Sequence, residues 1–177
     1  SWTGAPDSVT KPADQTVKFG EPYTIDSEYT SATVVVEKDA YGNATDRYTF
    51  SGWTDPNNGV MKTEGVNVTG SWTHTEVEVP EHSVNYSWDG EIPEGVNLPE
   101  SITGLVKGQP YEIDDDYTSL TVVEVKDAYG NVTDRYTFSG WTDPNNGEMG
   151  EADVKVTGTW THTEVEVPEH SVNYSWD

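Results

Sequence analysis

The sequence contains one unit written twice. YTFSGWTDPNNG stands at Tyr48–Gly59 and again at Tyr136–Gly147, an offset of 88 residues. Trp72–Asp89, WTHTEVEVPEHSVNYSWD, returns without change as Trp160–Asp177. Between Tyr23 and Asp89 about four positions in five match their counterparts, while the first twenty residues align only with small gaps that pair Pro6 with Pro93, Pro12 with Pro99 and Gly20 with Gly108. Self-similarity at a fixed period decides the architecture before any other pattern is read. In 177 residues it gives two domains, expected at 1–88 and 89–177, each large enough to fold without staples. The chain opens on Ser1-Trp2, matching Ser87-Trp88, and closes on Ser175-Trp176. That common phase is expected of an excerpt from a longer array.

What each unit folds into turns on its apolar residues, which are few. Val (22), Ile (4), Leu (3) and Phe (3) make 32 of 177 residues, or 18%, and the net charge is −23. Those figures border on the composition of disordered chains. Seven Trp and ten Tyr argue for folding, because each can bury on the order of 150–250 Å². Val, Thr, Tyr and Trp abound where Leu and Ala are scarce, which favours strands. The expected fold is mainly β, α+β at the margin: two elongated β-rich repeats with a thin aromatic core and at most one or two short helical turns each.

Within a unit the period is two. Thr33 to Lys38, a Tyr41-Gly42-Asn43 turn and Arg47 to Trp53 read as a hairpin with Tyr48 and Phe50 on one face. Asp55-Pro56-Asn57-Asn58-Gly59 is a tight turn. Val66, Val68 and Trp72 alternate with polar residues, Gly70 leaving room on the apolar face. The expected core is therefore Tyr48, Phe50, Trp53, Trp72 and Trp88, with their copies Tyr136, Phe138, Trp141, Trp160 and Trp176. Beyond Trp72 the parity changes and Pro80 interrupts, so Val77, Val79, Pro80 and His82 form a bend or the joint between units. Val84, Tyr86 and Trp88 then resume alternation. This strand is expected to complete the preceding unit, with the boundary near Asp89. Glu91–Gly104 holds Pro93, Gly95 and Pro99 and has room for one helical turn; Met149–Asp153 has room for another.

Candidate chemistry is thin. The absence of cysteine removes disulfides, thiolate zinc sites and a Cys nucleophile. The acidic balance disfavours nucleic acid and anionic membrane surfaces, and no apolar run approaches the roughly 18–20 residues that span a bilayer. His74, His82, His162 and His170 lie in pairs eight residues apart across a proline, a spacing that does not promise convergence on a metal. Asp114-Asp115-Asp116 is a weak lure for calcium, but its counterpart is Asp26-Ser27-Glu28 and no DxDxDG loop occurs. Carboxylates are everywhere, with no apolar pocket to single one out as an acid, and no nucleophile elbow occurs. Lys38 and Lys126 hold equivalent strand positions and are the candidates for a Lys–Asn cross-link. Sequons at Asn43, Asn67, Asn85, Asn131 and Asn173 are read as incidental in a sequence this rich in Asn, Thr and Ser. The regular tryptophans read as core before sugar platform. No cofactor or metal is expected, and no enzyme.

The near-identical units, YTFSGWTDPNNG, the following VTGSWTHT or VTGTWTHT, and a VNYSWDGEIPEGVNLP entry together resemble the SHIRT family, Streptococcal High Identity Repeats in Tandem, of Gram-positive cell-surface proteins. The GW…TGxW skeleton is also similar to broader β-rich surface-protein repeats. The resemblance implies an extracellular, monomeric stalk: neighbouring repeats of the same chain as partners, a host ligand bound by a distal domain elsewhere, a cell-wall anchor, and length set by repeat number. The competing reading is an adhesive module that binds a host glycan or protein through exposed aromatics.

Overall fold

The computed structural model describes residues 1–25, 28–114 and 116–176. It divides into two units, 1–79 and 80 onward. The first is a four-stranded sheet in the order β1-β4-β3-β2, built from β1 (Trp2–Thr3), β2 (Val34–Lys38), β3 (Ala44–Thr54) and β4 (Thr69–Glu76). The second is five-stranded in the order β6-β5-β9-β8-β7, from β5 (Glu81–Asp89), β6 (Ile102–Val106), β7 (Val122–Lys126), β8 (Val132–Thr142) and β9 (Val154–Glu164). No helix occurs among the described residues. Where a helical turn had room to form before Gly104, residues 102–106 instead pair as β6 with β5.

The hairpins follow the sequence closely. β2–β3 and β7–β8 are antiparallel pairs closed by Asp39–Asn43 and Asp127–Asn131. In each loop the aspartate caps three N–H groups: Asp39 accepts from the backbone of Tyr41 and Asn43 and from the Asn43 amide at 2.8–2.9 Å, and Asp127 does the same. Such Asx geometry fixes the turn without apolar burial. These bonds hold both carboxyls below their usual range, the asparagine side-chain bond first.

A bulge interrupts the long strand of each hairpin. Between Phe50 and Gly52 in β3, and between Phe138 and Gly140 in β8, the register slips by one residue. Gly52 and Gly140 sit at φ 127° and 126°, a region open to glycine. The extra residue reverses the parity of the remainder of the strand. Phe50 and Trp53, three apart, therefore share a face, their ring centroids 5.3 Å apart.

The domain boundary differs from the expected 1–88 and 89–177. β5 pairs parallel with β9, Val84 opposite Val154 through Asp89 opposite Thr159, and antiparallel with β6. The strand Val84–Trp88 thus opens the second unit and does not complete the first. Its shortened equivalent in the first unit is β1, where Trp2 lies opposite Gly70 as Trp88 lies opposite Gly158. His82, expected in the joint, belongs to β5. Val77, Val79 and Pro80 remain outside the strands.

Candidate functional site

Each unit is held by one aromatic cluster. In the first, Trp2 stacks on Trp53 (5.3 Å, 28°), and Phe50, Trp72 and Tyr29 pack edge-on or tilted around them. In the second, Trp88 stacks on Trp141 (4.9 Å, 19°) beside Tyr117, Phe138 and Trp160. Gly70 and Gly158 make the stack possible: a Cβ there would stand 2.8 and 2.5 Å from tryptophan ring carbons. Phe50, Trp72, Phe138 and Trp160 are buried as expected. Trp53, Trp88 and Trp141 are half-buried at the edge of the cluster. A sugar platform needs open ring faces, and these faces cover one another.

Three expected core residues lie elsewhere. Tyr48 and Tyr136 are half-buried and stack on His74 and His162 at 4.6 and 4.5 Å, beyond the cluster. Trp176 is not core at all. It is 98% exposed, with Tyr174 at 91% and Val172 at 78%, although Trp88, Tyr86 and Val84 in the same sequence are covered. The difference is sheet pairing: β5 has β9 and β6 on either side, while residues 166–176 pair with no strand among the described residues.

The units diverge most beside the cluster. In the second, Val84 and Tyr86 of β5 seat against Leu105, Tyr111, Met149, Val154 and Val156, all buried. Burying side chains of this size contributes about 1.5–3 kcal/mol each. In the first, the equivalents Tyr23, Met61, Val66 and Val68 are only half-buried. They line a cleft of about 310 Å³ together with Ser1 and Trp53. β4 accordingly starts at Thr69, whereas β9 starts three residues earlier in the repeat, at Val154. Sequence reasoning missed Met149 and Leu105 as core residues. It found the Val84–Tyr86 alternation without the partner strand that gives it meaning.

The titratable groups are turn and sheet fittings. Tyr111 donates to Asp143 (2.7 Å), and Tyr23 donates to Asp55 in the same way. Burial, then the neighbouring carboxylate, pushes both tyrosines up. Asp143 is held low: burial opposes this, but the Tyr111 hydroxyl and the N–H groups of Asn145 and Gly147 outweigh it. His162 lies between Asp134 (2.9 Å) and Glu91 (2.8 Å), and these carboxylates, Asp134 first, raise its pKa. His74 meets Asp46 at 2.7 Å, and His82 comes within 3.8 Å of Asp153. His170 is exposed. The four histidines do not converge, and no group of three or more His, Asp or Glu that could hold a metal occurs among the described residues. Asp115, Asp26 and Ser27 of the acidic turns lie outside the described residues. Lys38 and Lys126 are exposed, and no polar or charged side chain is buried among the described residues, so the buried partners of a Lys–Asn cross-link are not assembled there.

The fold thus defines an all-β tandem pair whose recurring feature is a packing device, an aromatic cluster and a slot for one strand. Among solved structures the chain is similar to the Streptococcal High Identity Repeats in Tandem (SHIRT) domains 3-4 from a cell surface protein, at 22% identity over 87% of this chain and 85% of that one, with a TM-score of 0.37. No protein-family model matches the chain, and no curated protein does.

Proposed function

We propose that the chain is a structural spacer of an extracellular surface protein, a stiff segment whose length scales with the number of repeats and which carries a ligand-binding domain away from a wall-anchored end. The observation that carries this reading is the repetition itself. The same hairpin, bulge, aromatic stack and capped loops occur in both units, and their shared chemistry is packing and turn closure. Adhesion through the clustered aromatics would need open ring faces, whereas eight of the ten clustered rings are tryptophan or phenylalanine packed against one another in stacked, tilted or edge-on pairs.

Stiffness has a sequence basis. Between the end of β4 at Glu76 and the start of β5 at Glu81 only Val77-Glu78-Val79-Pro80 intervenes, with no glycine. A β-branched, proline-bearing link of this length is not a Gly/Ser-type coil. Like charge opposes folding one unit back on another within a Debye length of about 8 Å. The same joint sequence recurs at 165–168, so successive junctions would share one geometry. Small-angle scattering from chains of one, two and three repeats tests the reading. The maximum dimension should rise linearly with repeat number; growth near its square root would end the spacer mechanism.

A further inference from the structure

The chain holds two Asn-Gly pairs, Asn58-Gly59 and Asn146-Gly147, at equivalent places in the tight turns that follow β3 and β8. The turn demands these residue types. Both asparagines sit at φ 52°, and the glycines follow at φ 78° and 80°. Asn and Gly are the residues that enter this left-handed region most readily. Their junction is also the one in a polypeptide most open to deamidation, because glycine leaves the attacking nitrogen unshielded. In that reaction the glycine nitrogen loses its proton and bonds to the asparagine Cγ, ammonia leaves, and a cyclic imide forms. Water then opens the ring to aspartate or isoaspartate. Asn58 and Asn146 are both exposed, so water reaches them.

We infer that Asp55 and Asp143 guard these junctions against deamidation by holding the nitrogen that would attack. The Gly59 N–H donates to Asp55 Oδ2 at 2.7 Å, and the Gly147 N–H donates to Asp143 Oδ2 at 2.7 Å. The other oxygen of each carboxylate accepts from the Asn57 or Asn145 N–H at 2.9 Å and from the Tyr23 or Tyr111 hydroxyl. Each glycine carbonyl in turn accepts from the Tyr23 or Tyr111 N–H at 2.9 Å. The glycine is thus pinned at nitrogen and oxygen, and bringing its nitrogen over the asparagine Cγ breaks these bonds. Loss of the N–H proton would also set an amide anion against a carboxylate, and like charges in contact oppose that step. The opposite role, a general base that removes the proton, fits poorly. Asp55 is held below its usual range, by the Tyr23 hydroxyl first, and Asp143 is held low against the opposing effect of burial, which weakens both as bases. The guard concerns the chemical durability of the turns and stands whether or not the chain is a spacer.

Two measurements on the full chain test it. Amide exchange removes the same proton, so the Gly59 and Gly147 N–H groups should exchange at least about tenfold more slowly in the native chain than in the chain unfolded in urea, the factor of one charge-assisted hydrogen bond. Deamidation, followed by mass spectrometry of proteolytic peptides during incubation at mildly alkaline pH, should lag at Asn58 and Asn146 by a similar factor. Asp143→Asn should then speed the loss at Asn146, with the β8 and β9 amides still slow to exchange, while Asn58 in the same molecule keeps its native rate. Tyr111→Phe removes a different bond from the same turn, leaves the Gly147 N–H on its carboxylate, and should leave Asn146 protected. Exchange or deamidation as fast in the native chain as in the unfolded one overturns the inference. So does an unchanged or slower rate at Asn146 in Asp143→Asn, which would make the carboxylate idle or a base. Acceleration that comes with lost protection of β8 and β9, or equally from both substitutions, also overturns it, since the folding of the unit at large would then be the guard.

Discussion

Val68 and Val156 occupy the same place in two copies of one strand, yet the first is half-open and the second is sealed. Their neighbours show the same contrast. Met61 is partly exposed where Met149 is 1% exposed, and Tyr23 where Tyr111 is 7%. Nothing in these side chains differs. What differs is that β5, nine residues long, fills the slot in the second unit, while β1 supplies two residues at the corresponding edge of the first. The aromatic cluster, in contrast, is complete in both, because Trp2 reaches Gly70 as Trp88 reaches Gly158. The pair therefore separates two contributions to one fold. The cluster needs a single donated tryptophan; the aliphatic layer beside it needs a whole strand.

Substitutions and a titration probe that separation. The cluster should weigh equally in both units, so Trp72→Ala and Trp160→Ala should each cost about 3–5 kcal/mol. Denaturant melts of the single units measure this, and a loss below about 1 kcal/mol at either site would remove that residue from the core. The slot should weigh unequally. Met149→Ala should cost about 2–5 kcal/mol, and Met61→Ala no more than about 1 kcal/mol, because its side chain already meets solvent. Equal losses at the two methionines would mean that the first unit's cleft is closed in solution.

Overpacking tests the cluster from the other side. Gly158→Ala places a methyl against Trp88 and Trp141, both at 2.5 Å, and should cost about 1–3 kcal/mol in the same melts. Gly70→Ala should cost less, since Trp2 has only the short β1 behind it and can yield.

The smallest effect is electrostatic. His162 has both ring nitrogens on carboxylates, while the shorter Gly4-Ala5-Pro6 of the first unit offers His74 no counterpart to Glu91. A histidine with a raised folded pKa stabilises fully below its unfolded value near 6.5, and that support fades as pH rises through the raised value. Asp134, held low chiefly by its hydrogen bond to His162, supports the fold above its ordinary range and loses that support as pH falls through the depressed value. The second unit should accordingly gain stability relative to the first in mildly acidic solution. Glu91→Gln should lower the His162 pKa, followed by proton-detected titration of the imidazole; an unchanged value would detach Glu91 from the pair.

Much of this was legible along the chain. The hairpins, the Asp-Pro-Asn-Asn-Gly turn and the glycine beneath the tryptophans are local. Their evidence lies within a dozen residues, and the period-2 pattern exposes it. The bulge at Gly52 was not legible, since one extra residue leaves no mark in composition. It is why Phe50 and Trp53 share a face that strict alternation would deny them. The tyrosines Tyr48 and Tyr136 continue the parity of the core but run past its edge, and strand parity carries no information about where a core stops.

The sequence by itself determined that there are two units, that they are β, and that Phe50, Trp53 and Trp72 with their copies Phe138, Trp141 and Trp160 pack together, because repetition and alternation are properties of the chain as written. The tertiary structure decided which unit owns Val84–Trp88. β5 finds its parallel partner in β9, 70 residues away, and no local pattern encodes a pairing at that distance. That choice moved the boundary to Val79–Pro80, buried one copy of VNYSW and left the other exposed. Identical residues thus reached opposite fates, because burial depends on what a strand is paired with, and side-chain identity does not supply the partner.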